Sequence, residues 1–364
     1  MSFRLTMLVF TLGLAMAAYG QTARPWVEVR AVYGGFPAEL LQPGERLDQL
    51  GTNAVFVGSG AINGKLVADA RAQGVRLFAE FNTMHVASYV KDHPDAAPVG
   101  ADGKPCPPPY GWQGICPIHE GYRRFRMEEF RKLLQKCPVA GVWLDYLHSH
   151  ASWERADPAL PDTCFCDRCI QEFSKESGIS LPQQPRPEVA RLLLGEHRAR
   201  WVQWRCDVFT DWVREFRKIA DETRPGTLLG TFHCPWSDTD IAGALREKLA
   251  IDLQAQAAYL DVFSPMPYHA RFGHPTDLAW ISRQVAWLGR YLGIEGKPNE
   301  RHKIWPIVQL SDWGEPVPLE QVEPVLDHGS RRPATGVIVF AWGGLRKPLD
   351  KAKAMSRFFM SIRP

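Results

Sequence analysis

Gly141-Val142-Trp143-Leu144-Asp145-Tyr146-Leu147 is an apolar run that ends in a charge. Short β-rich runs of this kind recur along the chain, at Trp26–Tyr33, Asn53–Gly58, Val75–Phe81, Gly141–Leu147, Thr227–His233, Leu260–Pro265, Ile304–Leu310 and Gly336–Ala341. Longer amphipathic runs separate them: Leu40–Leu50, Lys65–Gln73, Tyr122–Gln135, Val189–Glu222, Asp240–Ala258, Asp277–Leu292, Leu319–Asp327 and Leu349–Phe359. Strict alternation of eight β and eight α units, with no break in composition, specifies a parallel sheet covered by helices. Its most economical form is a closed (β/α)8 barrel of the TIM type. A doubly wound open sheet is the alternative, but no glycine-rich phosphate turn follows the first strand. The expected organisation is a signal peptide over residues 1–20 and one barrel domain over 21–364.

The chain has 364 residues, 45% hydrophobic and 23% charged, which excludes disordered, collagen-like and multi-span membrane classes. Lys plus Arg number 43 and Asp plus Glu 40, a balance that does not favour nucleic acid or an anionic membrane as partner. Arg4 precedes an apolar run from Leu5 to Ala18, and the small residues Ala18 and Gly20 form a cleavage site. The mature protein is therefore expected to be periplasmic or secreted, free of the membrane once the signal is removed. The thirteen tryptophans suit sugar stacking as well as core packing. Oligomeric state is not legible.

Two connections are long for a barrel: Asn82–Gly121 after the third strand and His148–Glu188 after the fourth. Both leave the C-terminal face, where barrels of this kind place their chemistry. Cys164, Cys166 and Cys169 form C-x-C-x-x-C in the second loop, and Cys106 and Cys116 lie in the first. Three thiolates so close, with one more from the neighbouring loop, match the ligand set of a structural zinc. An even count of cysteines in an exported protein also fits disulfides.

The stretch Cys164-Phe165-Cys166-Asp167-Arg168-Cys169, followed by Phe173, resembles the cysteine motif of the zinc-carrying β-galactosidases of glycoside hydrolase family 42. Gly141–Tyr146 and Asp261-Val262-Phe263-Ser264-Pro265-Met266-Pro267-Tyr268 resemble segments that line the presumed sugar site of uncharacterised glycoside-hydrolase-like barrels. The resemblance implies a barrel that acts on carbohydrate. Those β-galactosidases carry Asn-Glu at the end of the fourth strand where this chain has Asp145-Tyr146, so their acid does not transfer.

Glycoside hydrolysis needs two carboxyl groups across the scissile bond, one of them protonated. Asp145 is the first candidate, expected as nucleophile or charge stabiliser. Asp312, Glu80 and Asp238 are the candidates for its partner, in that order. His148, His233, Trp236, Tyr268, His269, Gln309 and Trp342 end strands or sit just beyond them, and are expected to contact sugar. The H-x-H of His148 and His150 also admits a catalytic metal. The expected function is an exported glycoside hydrolase acting on an oligo- or polysaccharide; the alternatives are a non-catalytic carbohydrate-binding barrel and a metal-dependent amidohydrolase.

Overall fold

The computed structural model describes residues 26–362; the expected signal segment lies outside them. The strands are β1 (Val29–Tyr33), β2 (Ala54–Gly58), β3 (Arg76–Asn82), β4 (Gly141–Asp145), β5 (Leu228–His233), β6 (Val262–Pro265), β7 (Lys303–Ile304), β8 (Ile307–Gln309) and β9 (Gly336–Phe340). All neighbours pair in parallel, in the order β7-β6-β5-β4-β3-β2-β1-β9-β8. β7 and β8 are the two halves of the run expected as one strand. Pro306, which has no N–H to give a ladder, interrupts them. Ile304 pairs with Phe263 of β6 and also bridges Ala334 just before β9, while Ile338 N–H reaches the Pro306 carbonyl at 2.9 Å. The broken seventh strand thus joins both ends of the sheet, and the barrel closes through it.

Side chains fill the interior. Phe56, Phe78, Trp143 and Trp305 form a plug, with Phe78 and Trp143 ring centres 5.0 Å apart and the two indoles stacked at 5.4 Å. Glycines make room for it: a Cβ on Gly230 would lie 2.3 Å from the Trp143 ring, and one on Gly336 would lie 2.7 Å from Trp305. Each buried indole finds a hydroxyl, Trp143 donating to Ser264 at 2.9 Å and Trp305 to Thr335 at 3.2 Å. The plug blocks the barrel from below, so the C-terminal mouth is a cup with a solid floor.

Three expected helices differ. Leu40–Leu50 is turns, because Pro43 and Gly44 (φ 87°) interrupt the period. Val189–Glu222 is two helices, Arg186–Leu194 and Arg198–Thr223, parted at Gly195. Asp240–Ala258 holds only short pieces, Ala244–Glu247 and Leu253–Gln256, the second capped by Asp252. No helix among the described residues is long and apolar enough to cross a membrane.

Candidate active site

The backbone alternation of β3 and β4 turns Glu80, Trp143 and Asp145 toward the barrel axis, and β4 stops at Asp145. Tyr146 then adopts a left-handed backbone (φ 54°), a conformation that a bulky residue holds only where its surroundings impose it. The turn aims the Tyr146 N–H at Asp145 Oδ1, 2.8 Å away. The Asp145 carbonyl accepts from the Thr83 hydroxyl at 2.6 Å and from the Thr83 N–H at 2.9 Å, so the strand end is fixed from both sides.

Above the plug lies a cavity of about 400 Å³ lined by Asp145, Glu154 and seven aromatic rings: Tyr33, Trp112, Tyr146, Phe232, Tyr268, Trp313 and Phe340. Tyr268 packs on Phe340 at 4.9 Å and edge-on to Trp313 at 5.8 Å; Trp112, from the first long loop, stacks on Tyr146 at 5.2 Å. Flat apolar walls with two carboxyl groups among them match what a sugar ring presents, C–H faces and a ring of hydroxyls.

Glu154 is the residue that sequence reasoning missed. It sits in Trp153-Glu154-Arg155, inside a loop with no strand end or motif to mark it. Its position depends on His148: the ring Nδ1 donates to the Ser149 carbonyl at 2.7 Å, which leaves Nε2 to accept the Trp153 indole N–H at 2.9 Å. On the other side Arg271 Nε donates to the Glu154 carbonyl at 2.7 Å while its guanidinium lies 4.6 Å over Trp313. Gln309 Oε1 accepts the Arg271 N–H at 3.1 Å, and its amide donates to the carbonyls of Ser311 and Trp313. Gln309 therefore shapes the loop that carries the wall and is not itself part of it.

Burial governs the protons here. It pushes Glu154 up to about 7, with the Arg271 cation pulling the other way. Asp145 is held well above the usual carboxylate range, first by burial and then by the negative charges of Glu80 and Glu154, opposed only by the Tyr146 N–H. Glu80 is also raised by burial; it accepts the Tyr33 hydroxyl at 3.4 Å, in space left by Gly58, whose missing Cβ would lie 3.3 Å from the carboxylate.

Several expected site residues lie elsewhere. Asp312 is exposed, accepts the Val317 N–H and pairs with Lys351 Nζ at 2.7 Å, which holds it below the usual range; it is a loop-capping anion outside the cavity lining. Asp238 is exposed as well. Trp236 is edge-on to Trp153 and Phe272, and Trp342 packs in the aliphatic cluster between β1, β9 and the last helix, each under 5% exposed. These two rings are packing: both are buried, and neither lines the cavity. His233 stands against Phe263 and bonds the Cys234 carbonyl, and His269 bonds Gln321; neither lines the cavity. His150 stitches the two long loops together, accepting from Gly114 N–H at 2.9 Å and meeting the Pro107 carbonyl at 3.0 Å. With the ring nitrogens of His148 and His150 so engaged, the H-x-H has no free nitrogen for a metal.

The four thiols of Cys116, Cys164, Cys166 and Cys169 converge within 4.8 Å of one another. Cys166 precedes the helix Asp167–Ser177 and Cys169 lies in its first turn, under Phe173 and Trp201. Cys116 Sγ is 3.6 Å from Cys166 Sγ and 3.7 Å from Cys169 Sγ. The edge of a tetrahedron with ~2.3 Å metal–sulfur bonds is ~3.8 Å, so the spacing fits four thiolates on one ion. All eight cysteines are free. Cys106, the other candidate for fourth ligand, is outside the group.

No protein-family profile and no curated protein sequence matches the chain. Solved structures do. The glycoside hydrolase domain of PgaB (BpsB) from Bordetella bronchiseptica superposes with a TM-score of 0.64 at 13% identity, over 92% of this chain and 99% of that one. A β-galactosidase from the psychrophilic Marinomonas ef1 gives 0.61 at 14%, over 93% and 59%. A family 42 β-galactosidase from G. stearothermophilus gives 0.60 at 15%, over 91% and 56%. The chain therefore spans under three fifths of the β-galactosidases, and at these identities the likeness is one of fold. The structural neighbours are glycoside hydrolases on TIM barrels.

Proposed function

We propose that this protein is a glycoside hydrolase acting on an oligo- or polysaccharide, with Asp145 and Glu154 as its carboxyl pair. The observation that carries the reading is their shared aromatic cavity above the barrel plug, with a cation beside only one of them. Asp145, with two acidic neighbours and no cation, keeps its proton and gives it to the glycosidic oxygen. Glu154, eased by Arg271, supplies the carboxylate, either attacking the anomeric carbon or drawing a proton from water. This reverses the role that the sequence alone suggests for Asp145. Glu80 adds negative charge beneath Tyr33 and keeps the Asp145 proton in place.

The test is the release of reducing ends from a panel of aryl glycosides and plant and microbial polysaccharides by the parent, Asp145→Asn and Glu154→Gln. Release by the parent and its loss in both variants supports the reading. Binding without release by the parent would instead favour the non-catalytic carbohydrate-binding barrel.

The four thiols are proposed to hold one structural zinc that joins the two long loops, which fits the sulfur spacing and the free thiols. Elemental analysis of the purified protein tests it. Export is proposed from the N-terminal sequence, with residues 21–364 as the mature barrel; N-terminal sequencing of the protein from the culture fluid or periplasm tests cleavage after Gly20.

A further inference from the structure

We propose that Tyr110, backed by Arg155, forms an outer sugar subsite at the rim of the cavity, so that the preferred ligand is a chain of several sugar units; this rests on the carbohydrate reading above. Tyr110 is 56% exposed, more than any other large hydrophobic side chain among the described residues. Its backbone is left-handed (φ 49°), which a tyrosine adopts only when held there. The Arg155 guanidinium carbon lies 3.5 Å from the centre of its ring. One face of the ring is thus covered by a cation and the other is left to water, which orients a flat apolar surface without burying it.

The chain places this platform beside the chemistry. Tyr110 is two positions before Trp112, which lines the cavity, and Arg155 follows Glu154. Pro109–Gly111 is a tight turn closed by the Trp112 N–H on the Pro109 carbonyl at 3.0 Å, so Tyr110 and Trp112 lie inside the ~7 Å that two extended residues would span, close enough to meet adjoining units of one sugar chain. Arg155 Nε is buried without a partner, and the guanidinium can offer donors to hydroxyls at the edge of a sugar stacked there. The contact also bridges the two long loops, since Tyr110 belongs to the first and Arg155 to the second.

The test is a titration of the full chain carrying Asp145→Asn, to suppress turnover, with cello-, manno- and N-acetylglucosamine oligomers of increasing length, from one to about six units. Affinity is expected to rise with length beyond the units that fill the cavity. Adding Tyr110→Ala should weaken the longest oligomers about five- to tenfold, leave the shortest within about twofold, and leave the melting curve unchanged; Tyr110→Phe should retain the length effect. An equal loss at every length, or no loss at the longest, overturns the subsite while leaving the hydrolase reading intact. If the protein binds no oligomer of any length, the carbohydrate reading fails and the subsite fails with it.

Discussion

Two clusters of ionisable groups share the C-terminal face and resolve their charge in opposite ways. The thiols of Cys116, Cys164, Cys166 and Cys169 are spaced for a cation at their centre, and aromatic rings close around them. The carboxyls of Asp145, Glu154 and Glu80 feel one another's charge but have no cation at their centre, only Arg271 beside Glu154 and Arg126 beside Glu80, and the cavity that Asp145 and Glu154 line is open to a ligand. A cluster that carries its own counter-charge stabilises the fold. One that lacks it holds protons at the expense of stability, and such an arrangement persists where the protons are used.

The sharpest break between the clusters lies in the carboxyls. Asp145→Asn and Glu154→Gln should each lower hydrolysis by ~10³ or more, the scale of losing a principal acid or nucleophile. Stability should stay level or rise. The folded-state pKa values of both acids are raised, so each binds its proton more tightly when folded, and stability falls as pH climbs from the ordinary carboxylate range toward the folded pKa, near 7 for Glu154. The neutral amides remove that loss. Rates with a confirmed substrate and melting curves at pH 5 and pH 8 check both halves; a variant that melts well below the parent at pH 8 would make its carboxyl structural.

The thiols should behave in the reverse sense. Cys169→Ser, or a chelator acting on the proposed zinc, should cost on the order of 4 kcal/mol and lower the melting temperature by roughly 10 °C. Calorimetry beside metal content tests this. Activity should fall only as far as the two loops loosen, because no thiol lines the cavity.

The same contrast decides what could be read from sequence. Three of the four thiols fall within Cys164–Cys169, since a metal asks for close ligands and a loop turning into a helix supplies them locally. Asp145 was legible because a charge ends an otherwise apolar strand. Glu154 was not: its loop has no period, and what brings it to the cavity is a tautomer of His148 and an arginine from beyond β6, contacts that exist only after folding. Asp312 looked apt by strand order alone, but Lys351 from the last helix neutralises it. The eight strand positions were legible from apolar runs, whereas the split at Pro306 and the turns in place of Leu40–Leu50 needed the proline and glycine to outweigh the surrounding pattern.

His148 offers a smaller test of how the carboxyl pair is held. His148→Phe keeps the bulk but leaves the Trp153 indole N–H without its acceptor. Turnover should fall about tenfold, with a loss of ~1–2 kcal/mol in stability, the cost of an orphaned buried donor. In the parent, burial lowers His148 to about 4. Its folded pKa lies below the unfolded value, so the stability it contributes is full above pH ~6.5 and is lost as pH falls toward 4. If His148→Phe and the parent lose stability in parallel over that window, His148 is not the group responsible.

The smallest expected effect, and the most specific, belongs to Arg271. Its cation lowers the pKa of Glu154, while Asp145 feels the raising charges of Glu80 and Glu154 without it. In the proposed assignment hydrolysis needs Glu154 ionised, so the rate rises with pH through the Glu154 pKa, and that acidic limb belongs near pH 7. Arg271→Gln removes the cation but can still donate toward the Glu154 carbonyl. With less opposition to burial, Glu154 should hold its proton to higher pH, and the limb should move up while the alkaline limb, set by Asp145, moves less. The rate at the optimum should fall only about three- to tenfold, since the wall of Trp313 and Tyr268 remains. A purely structural arginine would lower the whole profile without moving it. An upward shift of the alkaline limb, with the acidic limb held, would assign the protonated role to Glu154 and the carboxylate to Asp145, exchanging the pair while leaving the cavity as the site.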